Sequence, residues 1–276
     1  MPVRHPTAAT QVLAVGPDGV RRRPDALVTE EPMEVRVHGP GEDPVALSVT
    51  MRTPGHDFEL AAGLCFTEGI LAGRDDLDTV AYCLGGEGDQ DFNVVTVRTR
   101  GPVVGSVAAR NFVSTASCGI CGKGTLDDVA VRCEPVSDDV LVPQAVLHGL
   151  PERLARHQRV FGQTGGLHAA ARFTAAGDLV AAREDVGRHN ALDKLVGHAL
   201  LDGAVPCSGQ IALVSGRVSF ELVPKAAAAG MPVLCAVSAP SSLAVAAAER
   251  LGLTIVGFLR DGRFNVYSRP ERLDLA

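Results

Sequence analysis

Apolar and polar residues alternate one for one over residues 34–38 and again over 45–52, the period of two that half-buried strands show. Upstream, residues 11–15 and 20–23 flank Gly16-Pro17-Asp18-Gly19, which reads as a hairpin. After Pro54-Gly55-His56-Asp57 the period changes. Leu60 and Leu64, and Ala61 and Cys65, stand four apart, so residues 58–71 read as a helix laid against a core. Residues 80–84, 92–99 and 103–109 return to strand-like runs, with Gly85-Gly86-Glu87-Gly88 as a turn. Residues 114–125 show no period and are rich in glycine, which predicts a mobile loop. Residues 1–10 read as a disordered tail.

Beyond residues 133–143, where Glu134-Pro135 and Ser137-Asp138-Asp139 suit a boundary, helical and strand patterns alternate. Residues 143–158 read as a helix with proline at its start. Residues 168–173 and 179–184 read as strands, and 188–201 as a helix with Leu192, Leu195, Val196, Ala199 and Leu200 on its apolar side. Strands at 211–215 and 233–237 are apolar throughout, as buried strands are, with helices at 220–229 and 241–251 and strands at 254–259 and 264–267. This order predicts a three-layer α/β domain on a mixed sheet. The chain divides into a tail at 1–10, a smaller β-rich N-terminal domain at 11–135 and an α/β domain at 136–276.

Composition narrows the function classes. In 276 residues, 46% hydrophobic and 21% charged leave no room for disorder as the main state. A net charge of −6, and a supply of nine Phe, two Tyr and no Trp, argue against a nucleic-acid binder, which needs cationic surface and stacking rings. The acid excess falls in the first 182 residues; from Arg183 onward the charges nearly cancel, which favours the C-terminal part for a phosphorylated ligand. The uncharged stretch 226–248 is long enough for a membrane span, but Gly230, Pro232, Pro240, Ser238, Ser241 and Ser242 break it into helix end, buried strand, turn and helix start. The first residues carry no apolar targeting segment. The expectation is a soluble, cytoplasmic protein with no membrane partner.

Cys118-Gly119-Ile120-Cys121 is the sharpest chemical signal. Two thiols three positions apart can share a metal, close a disulfide or relay sulfur. A zinc site takes four ligands, usually two such pairs, and only one pair is present. Gly119, Gly122 and Gly124 let backbone N–H groups turn toward a sulfur anion and Lys123 adds positive charge, both of which raise the thiolate fraction. Half a zinc site completed across a dimer remains open from spacing alone. Cys65, Cys83, Cys133, Cys207 and Cys235 stand singly and read as small buried hydrophobes.

In the C-terminal part the strand ends carry the chemistry. Gly165-Gly166-Leu167-His168 enters a strand, where a glycine pair permits close approach. Arg183-Glu184-Asp185-Val186-Gly187-Arg188-His189-Asn190 joins a strand to a helix, with Asp193 and Lys194 following. Such a turn aims N–H groups at an anion. Ser215-Gly216-Arg217 ends a buried strand, and Phe258, Leu259, Arg260, Asp261, Gly262 and Arg263 end the last long one. Ligands of open α/β sheets favour the carboxyl ends of strands. Each segment alone suits a helix cap or a tight turn; three strand ends bearing arginine together favour a phosphate pocket. No Walker or Gly-x-Gly-x-x-Gly fingerprint is present.

Together the motifs resemble the formate dehydrogenase accessory sulfurtransferase family (FdhD). The matching stretches run from Arg52-Thr53-Pro54-Gly55-His56-Asp57-Phe58-Glu59-Leu60 through Ser117-Cys118-Gly119-Ile120-Cys121-Gly122 and Gly165–His168 to Arg183–Lys194, Ser215-Gly216-Arg217 and the 258–263 turn. The resemblance covers the chain from about residue 20 to its end. It implies a sulfurtransferase that takes persulfide sulfur from a cysteine desulfurase and passes it to the molybdenum bis(molybdopterin guanine dinucleotide) cofactor destined for the formate dehydrogenase catalytic subunit. Cys118 would carry the persulfide and Cys121 would assist. Gly166, His168, Arg188, His189, Lys194, Ser215, Arg217 and residues 258–263 would bind the guanine-containing cofactor. The resemblance also implies a cytidine-deaminase-like fold for the larger domain, a homodimer and no permanent metal.

Three rival readings compete with this one. A zinc deaminase carries His-x-Glu before Pro-Cys-x-x-Cys; here the cysteine pair comes first and His168-Ala169-Ala170 lacks the glutamate. A dithiol redox protein of the thioredoxin type needs a good helix after its pair, which this loop lacks. A non-enzymatic cofactor-binding chaperone, with structural thiols, is the alternative reading.

Overall fold

The computed structural model describes residues 5–83, 92–103 and 134–276. Strands β1 (Thr7–Gly16) and β2 (Gly19–Val28) form the expected hairpin, closed by Pro17-Asp18. It is longer than its apolar pattern suggests. Thr7–Thr10, expected in the tail, pair with Val28–Asp25, so the strand begins inside the expected tail. Strands β3 (Glu31–His38), β4 (Val45–Arg52), β5 (Leu77–Tyr82) and β6 (Val94–Thr99) make one sheet in the order β4-β3-β6-β5. Met33, Val35 and Val37 alternate onto its buried face, as the period of two predicts. Helix α1 (Asp57–Thr67) lies on that face and stops short of residue 71, because Gly69 turns the chain at φ 70° and Ile70 N–H bonds back to Cys65 O. The expected strand at 103–109 and the turn at 85–88 fall wholly or mainly outside the described residues, as do Cys118, Cys121 and Cys133.

The C-terminal part holds β7 (Val142–Pro143), α2 (Gln144–Ala155), α3 (Arg159–Thr164), β8 (His168–Thr174), β9 (Leu179–Asp185), α4 (Arg188–Leu201), β10 (Gln210–Val214), α5 (Leu222–Ala228), β11 (Val233–Ala236), α6 (Ser242–Leu251), β12 (Thr254–Arg260), β13 (Arg263–Ser268) and β14 (Leu273–Asp274). The six-stranded sheet runs β13-β12-β11-β10-β8-β9, with β10, β11 and β12 parallel and the other pairs antiparallel. It is the mixed sheet and three-layer α/β domain the sequence predicts. One face, with Ala169, Ala171, Phe173, Ile211 and Leu213, packs on Leu147, Leu150 and Leu154 of α2. The other, with Ala170, Ala212, Val214 and Leu234, packs on Leu192, Leu195 and Val196 of α4. Helix α3 is the main unpredicted element; the sequence reads residues 159–164 as connection. The 226–248 stretch is helix end, strand β11, turn and helix start, and among the described residues no helix is long and apolar enough to cross a membrane.

Helices α1 and α4 join the halves. They cross at Gly63 and Gly197 with backbone against backbone: a Cβ on Gly63 would land on the Asp193 carbonyl oxygen, and one on Gly197 on that of Glu59. The core around this crossing is continuous, running from Met33, Val35 and Leu60 to Leu192, Leu222 and Ile255.

Candidate functional site at the carboxyl edge of the sheet

Strands β9, β10, β11 and β12 all end at one edge of the six-stranded sheet, and β8, antiparallel to β10, begins there. The edge therefore gathers His168, Arg188 and His189, Ser215-Gly216-Arg217, Val237 and the 258–263 turn. Strands stand about 4.8 Å apart, so the span from β9 to β12 is about 19 Å. Phe258, Asp261 and Gly262 have φ of 54°, 52° and 69°, which makes the tight turn that presents Arg260 and Arg263 as exposed groups. The Arg260 guanidinium lies 5.8 Å from the Phe258 ring centroid, and Leu259 is buried as the anchor of the turn.

A pocket of about 550 Å³ opens beside the middle of this edge, lined by Pro151, Ala155, Gln158, Phe161, Gly165, Gly166, Leu167, His168, Ser215 and Val237. Of the residues expected to bind ligand, it unites Gly166, His168 and Ser215. Its far wall comes from α2 and α3, which the sequence reading missed because Pro151, Ala155 and Phe161 carry no polar signal. The size falls within the range of small-molecule sites. Ser215 Oγ accepts from Ala169 N–H at 2.9 Å, which fixes the strand end. The His168 ring lies over Gly216, where a Cβ would stand 3.2 Å from Nδ1. Burial, and then the charges of Arg188 and His189, push His168 below its ordinary value, so it faces the pocket as a neutral imidazole.

Next along the edge, His189 Nε2 lies 2.5 Å from Glu221 Oε2 and 3.3 Å from Ser219 Oγ. The hydrogen bond from His189 holds the Glu221 carboxyl below its ordinary value. Arg188 Nε is buried and has no partner among the described residues. Arg217 is exposed and, like Arg260 and Arg263, has no carboxylate within ion-pair reach among the described residues. An edge with three such arginines, and Arg188 beside them, suits an anionic ligand.

Lys194 departs from expectation. It is 1% exposed, and its ammonium sits 2.7 Å from Asp185 Oδ2 while donating to Thr53 O at 2.9 Å and Glu184 O at 3.3 Å. All three N–H groups are used within the chain, so Lys194 holds the site together instead of facing ligand. Asp185 also accepts from Thr53 N–H, Gly187 N–H and Asn190 Nδ2, and Asn190 Nδ2 donates to Met51 O. The Asp185-to-Lys194 segment thus clasps the strand-to-helix turn to the end of β4. Spacing cannot separate such an inward lysine from an outward one. Nearby, Arg52 donates to Asp57 at 2.9 Å and Glu31 at 3.0 Å, and Arg183 Nη2 donates to Glu59 Oε1 at 2.7 Å. Burial opposes the Glu59 charge, but Arg183 and His56 prevail and bring its pKa down to about 2.

Burial pushes the thiols of Cys65, Cys207 and Cys235 up, which keeps them neutral, as their apolar contexts predict. Among the described residues no three His, Cys, Asp or Glu side chains form a metal-binding group.

Comparison with known proteins follows the same lines. The sulfur carrier protein FdhD of Streptomyces avermitilis is 51% identical over 276 residues, covering 98% of this chain and 96% of that protein. The sulfur carrier protein FdhD of Mycobacterium tuberculosis is 45% identical, covering 97% and 98%. A crystal structure of a protein from Desulfotalea psychrophila, described as a formate dehydrogenase accessory protein, superposes with a TM-score of 0.75 over 97% of this chain and 99% of that one. At 24% identity that likeness speaks for the fold alone. The model of the FdhD/NarQ family matches residues 28–274, and the chain belongs to that family.

Proposed function

We propose that this protein is a sulfur carrier for formate dehydrogenase maturation, with Cys118 as the carrying thiol. In this reading the Cys118 thiolate attacks the terminal sulfur of a persulfide on a cysteine desulfurase. The bond between the two donor sulfurs breaks, the donor leaves as a thiolate, and Cys118 holds the sulfur as a persulfide with no net change of oxidation state. Cys121 assists. The acceptor is molybdenum bis(molybdopterin guanine dinucleotide), bound as substrate along the carboxyl edge, and the beneficiary is the formate dehydrogenase catalytic subunit. The protein acts as a cytoplasmic homodimer.

One juxtaposition supports the reading best. A chain half identical to proteins named as sulfur carriers gathers Arg217, Arg260 and Arg263, which have no ion-pair carboxylate among the described residues, and Arg188, whose buried Nε has no hydrogen-bond partner among them, on one sheet edge beside a pocket of ligand size. Pyrophosphate groups are what such arginines recognise.

Peptide mass spectrometry after incubation with a cysteine desulfurase and cysteine tests it. Added sulfur on Cys118, removable by reductant and absent from Cys118→Ala, is the expected result. A Cys118→Ala variant that still activates formate dehydrogenase would overturn the carrier role and favour a cofactor-binding chaperone. Arg260→Ala and Arg263→Ala should weaken binding of GDP; unchanged affinity in both removes the 258–263 turn from the ligand site.

A further inference from the structure

The β1–β2 hairpin contains no buried residue in either strand. Its base is held: Thr29 N–H donates to Pro6 O at 2.8 Å, and Val28 lies against Gly166, where a Cβ would stand 3.1 Å from Val28 Cγ1. Its outer half is largely exposed. Two strands alone are marginal in water, and paired ten-residue strands extend about 33 Å. Yet this tip carries Leu13 at 62%, Val15 at 78% and Val20 at 66% exposure. The register sets Leu13 opposite Arg22, Val15 opposite Val20 and Gln11 opposite Pro24, so the three aliphatics and Arg22 share one face. Arg21 and Arg23 occupy the other face with Val12 and Ala14. Arg23 reaches Asp25 at 3.7 Å; Arg21 and Arg22 have no carboxylate partner among the described residues. Asp18 at the turn and Asp25 beside Arg23 offset two of the three arginine charges, so residues 11–25 keep a net charge of +1 in a protein of net charge −6, and the tip is an apolar, weakly cationic projection.

Exposed aliphatics rimmed by arginine make an interaction surface, and the charge calls for an acidic partner face. Two such tips meeting would set arginine triplets against each other, which disfavours arm-to-arm pairing of two copies. The base of the arm supplies the choice of partner. Gly166, against Val28, lines the pocket, so the arm is rooted at the pocket wall, and a protein that spans the roughly 26 Å of strand from Val20 to Val28 meets both tip and pocket. We propose that the arm docks the protein that receives the ligand from this edge, a partner presenting an acidic surface with apolar patches. The inference rests on the carrier reading for the identity of that recipient, the formate dehydrogenase catalytic subunit.

Affinity for the cofactor-free catalytic subunit is measured by calorimetry for the wild type, for L13S/V15S/V20S and for R21E/R22E/R23E, at low and high salt. Both variants should bind at least tenfold more weakly, and wild-type affinity should fall as salt rises while that of the arginine variant changes less. Sulfur uptake from the desulfurase and the mass of the free protein should match the wild type. Unchanged affinity overturns the proposal. So does a loss of sulfur uptake in both variants, which assigns the arm to the donor, or a change in mass, which assigns it to a second copy. Absent sulfur uptake by the wild type counts against the carrier reading alone, because the binding measurement does not require transfer.

Discussion

Lys194 shows how a charged side chain serves a site without touching its ligand. With 1% exposure and three internal acceptors, it is the counter-ion of the wholly buried Asp185. Removing one partner of such a pair leaves an uncompensated buried charge, a loss of about 3–5 kcal/mol. Lys194→Met should lower unfolding free energy in urea by that order, and Lys194→Met/Asp185→Asn should recover part of it. An unchanged midpoint for Lys194→Met would show that the ammonium is not needed there. Glu59 gives a pH signature. Its carboxyl drops from an ordinary 4.5 to about 2, so its stabilising effect is complete above about 4.5 and disappears as pH falls toward 2. In Glu59→Gln the Arg183 pair is lost at every pH. The stability gap between variant and wild type should therefore be widest near neutrality and narrow between pH 4.5 and 2. A constant gap would mean that Glu59 does not titrate in that window.

The α1–α4 crossing depends on two residues that lack side chains. Because the atoms a Cβ would strike at Gly63 and Gly197 are backbone, neither helix can yield locally. Gly63→Ala and Gly197→Ala should each destabilise by about 1–3 kcal/mol, the range for overpacking. Gly149 of α2 is the contrast. Its Cβ would make only an ordinary 3.7 Å contact with Arg153, so Gly149→Ala should stabilise by about 0.5–1 kcal/mol through helix propensity. Denaturant midpoints of the three variants check both signs. Helix α4 was legible to the residue, 188–201, because Gly187 ends the strand-like run and the apolar period then holds for the whole helix. Strands β8 to β12 were legible because a sheet covered on both faces leaves apolar runs bounded by turns. Short α3 was not, since six residues fix no period. In the sequence the clasp of Asp185, Asn190 and Lys194 is legible only as a polar and charged cluster. Its inward aim depends on Met51 and Thr53, more than a hundred positions away, and no local pattern encodes that.

At the scale of the whole molecule, the two parts suggested by the sequence pattern are held as one. Thr53 exchanges hydrogen bonds with Asp185, Val186 and Lys194, Met51 accepts from Asn190, Glu59 pairs with Arg183, and Lys225 donates to Thr67 and Asp193. The apolar core is continuous across the same boundary. If either half unfolded alone, the other would expose the α1 or α4 face and strand Asp185 or Asp193 in contact with water through an opened clasp. The cost of separation is thus shared by both halves, which makes their unfolding cooperative. Calorimetry should show one transition with equal calorimetric and van't Hoff enthalpies. Lys194→Met, which opens the clasp but leaves the glycine crossing, should shift that single transition downward. Two separated transitions in the wild type would show that the halves are independent domains that merely touch. The same coupling has a functional corollary: the turn bearing Arg188 and His189 is tied to β4 and α1, so GDP bound at the sheet edge should raise the melting temperature of the whole chain. Clasp variants should keep GDP binding while transmitting less of it, so that α1 amides gain less hydrogen-exchange protection on GDP addition than in the wild type. Equal protection in both would separate the clasp from any such coupling.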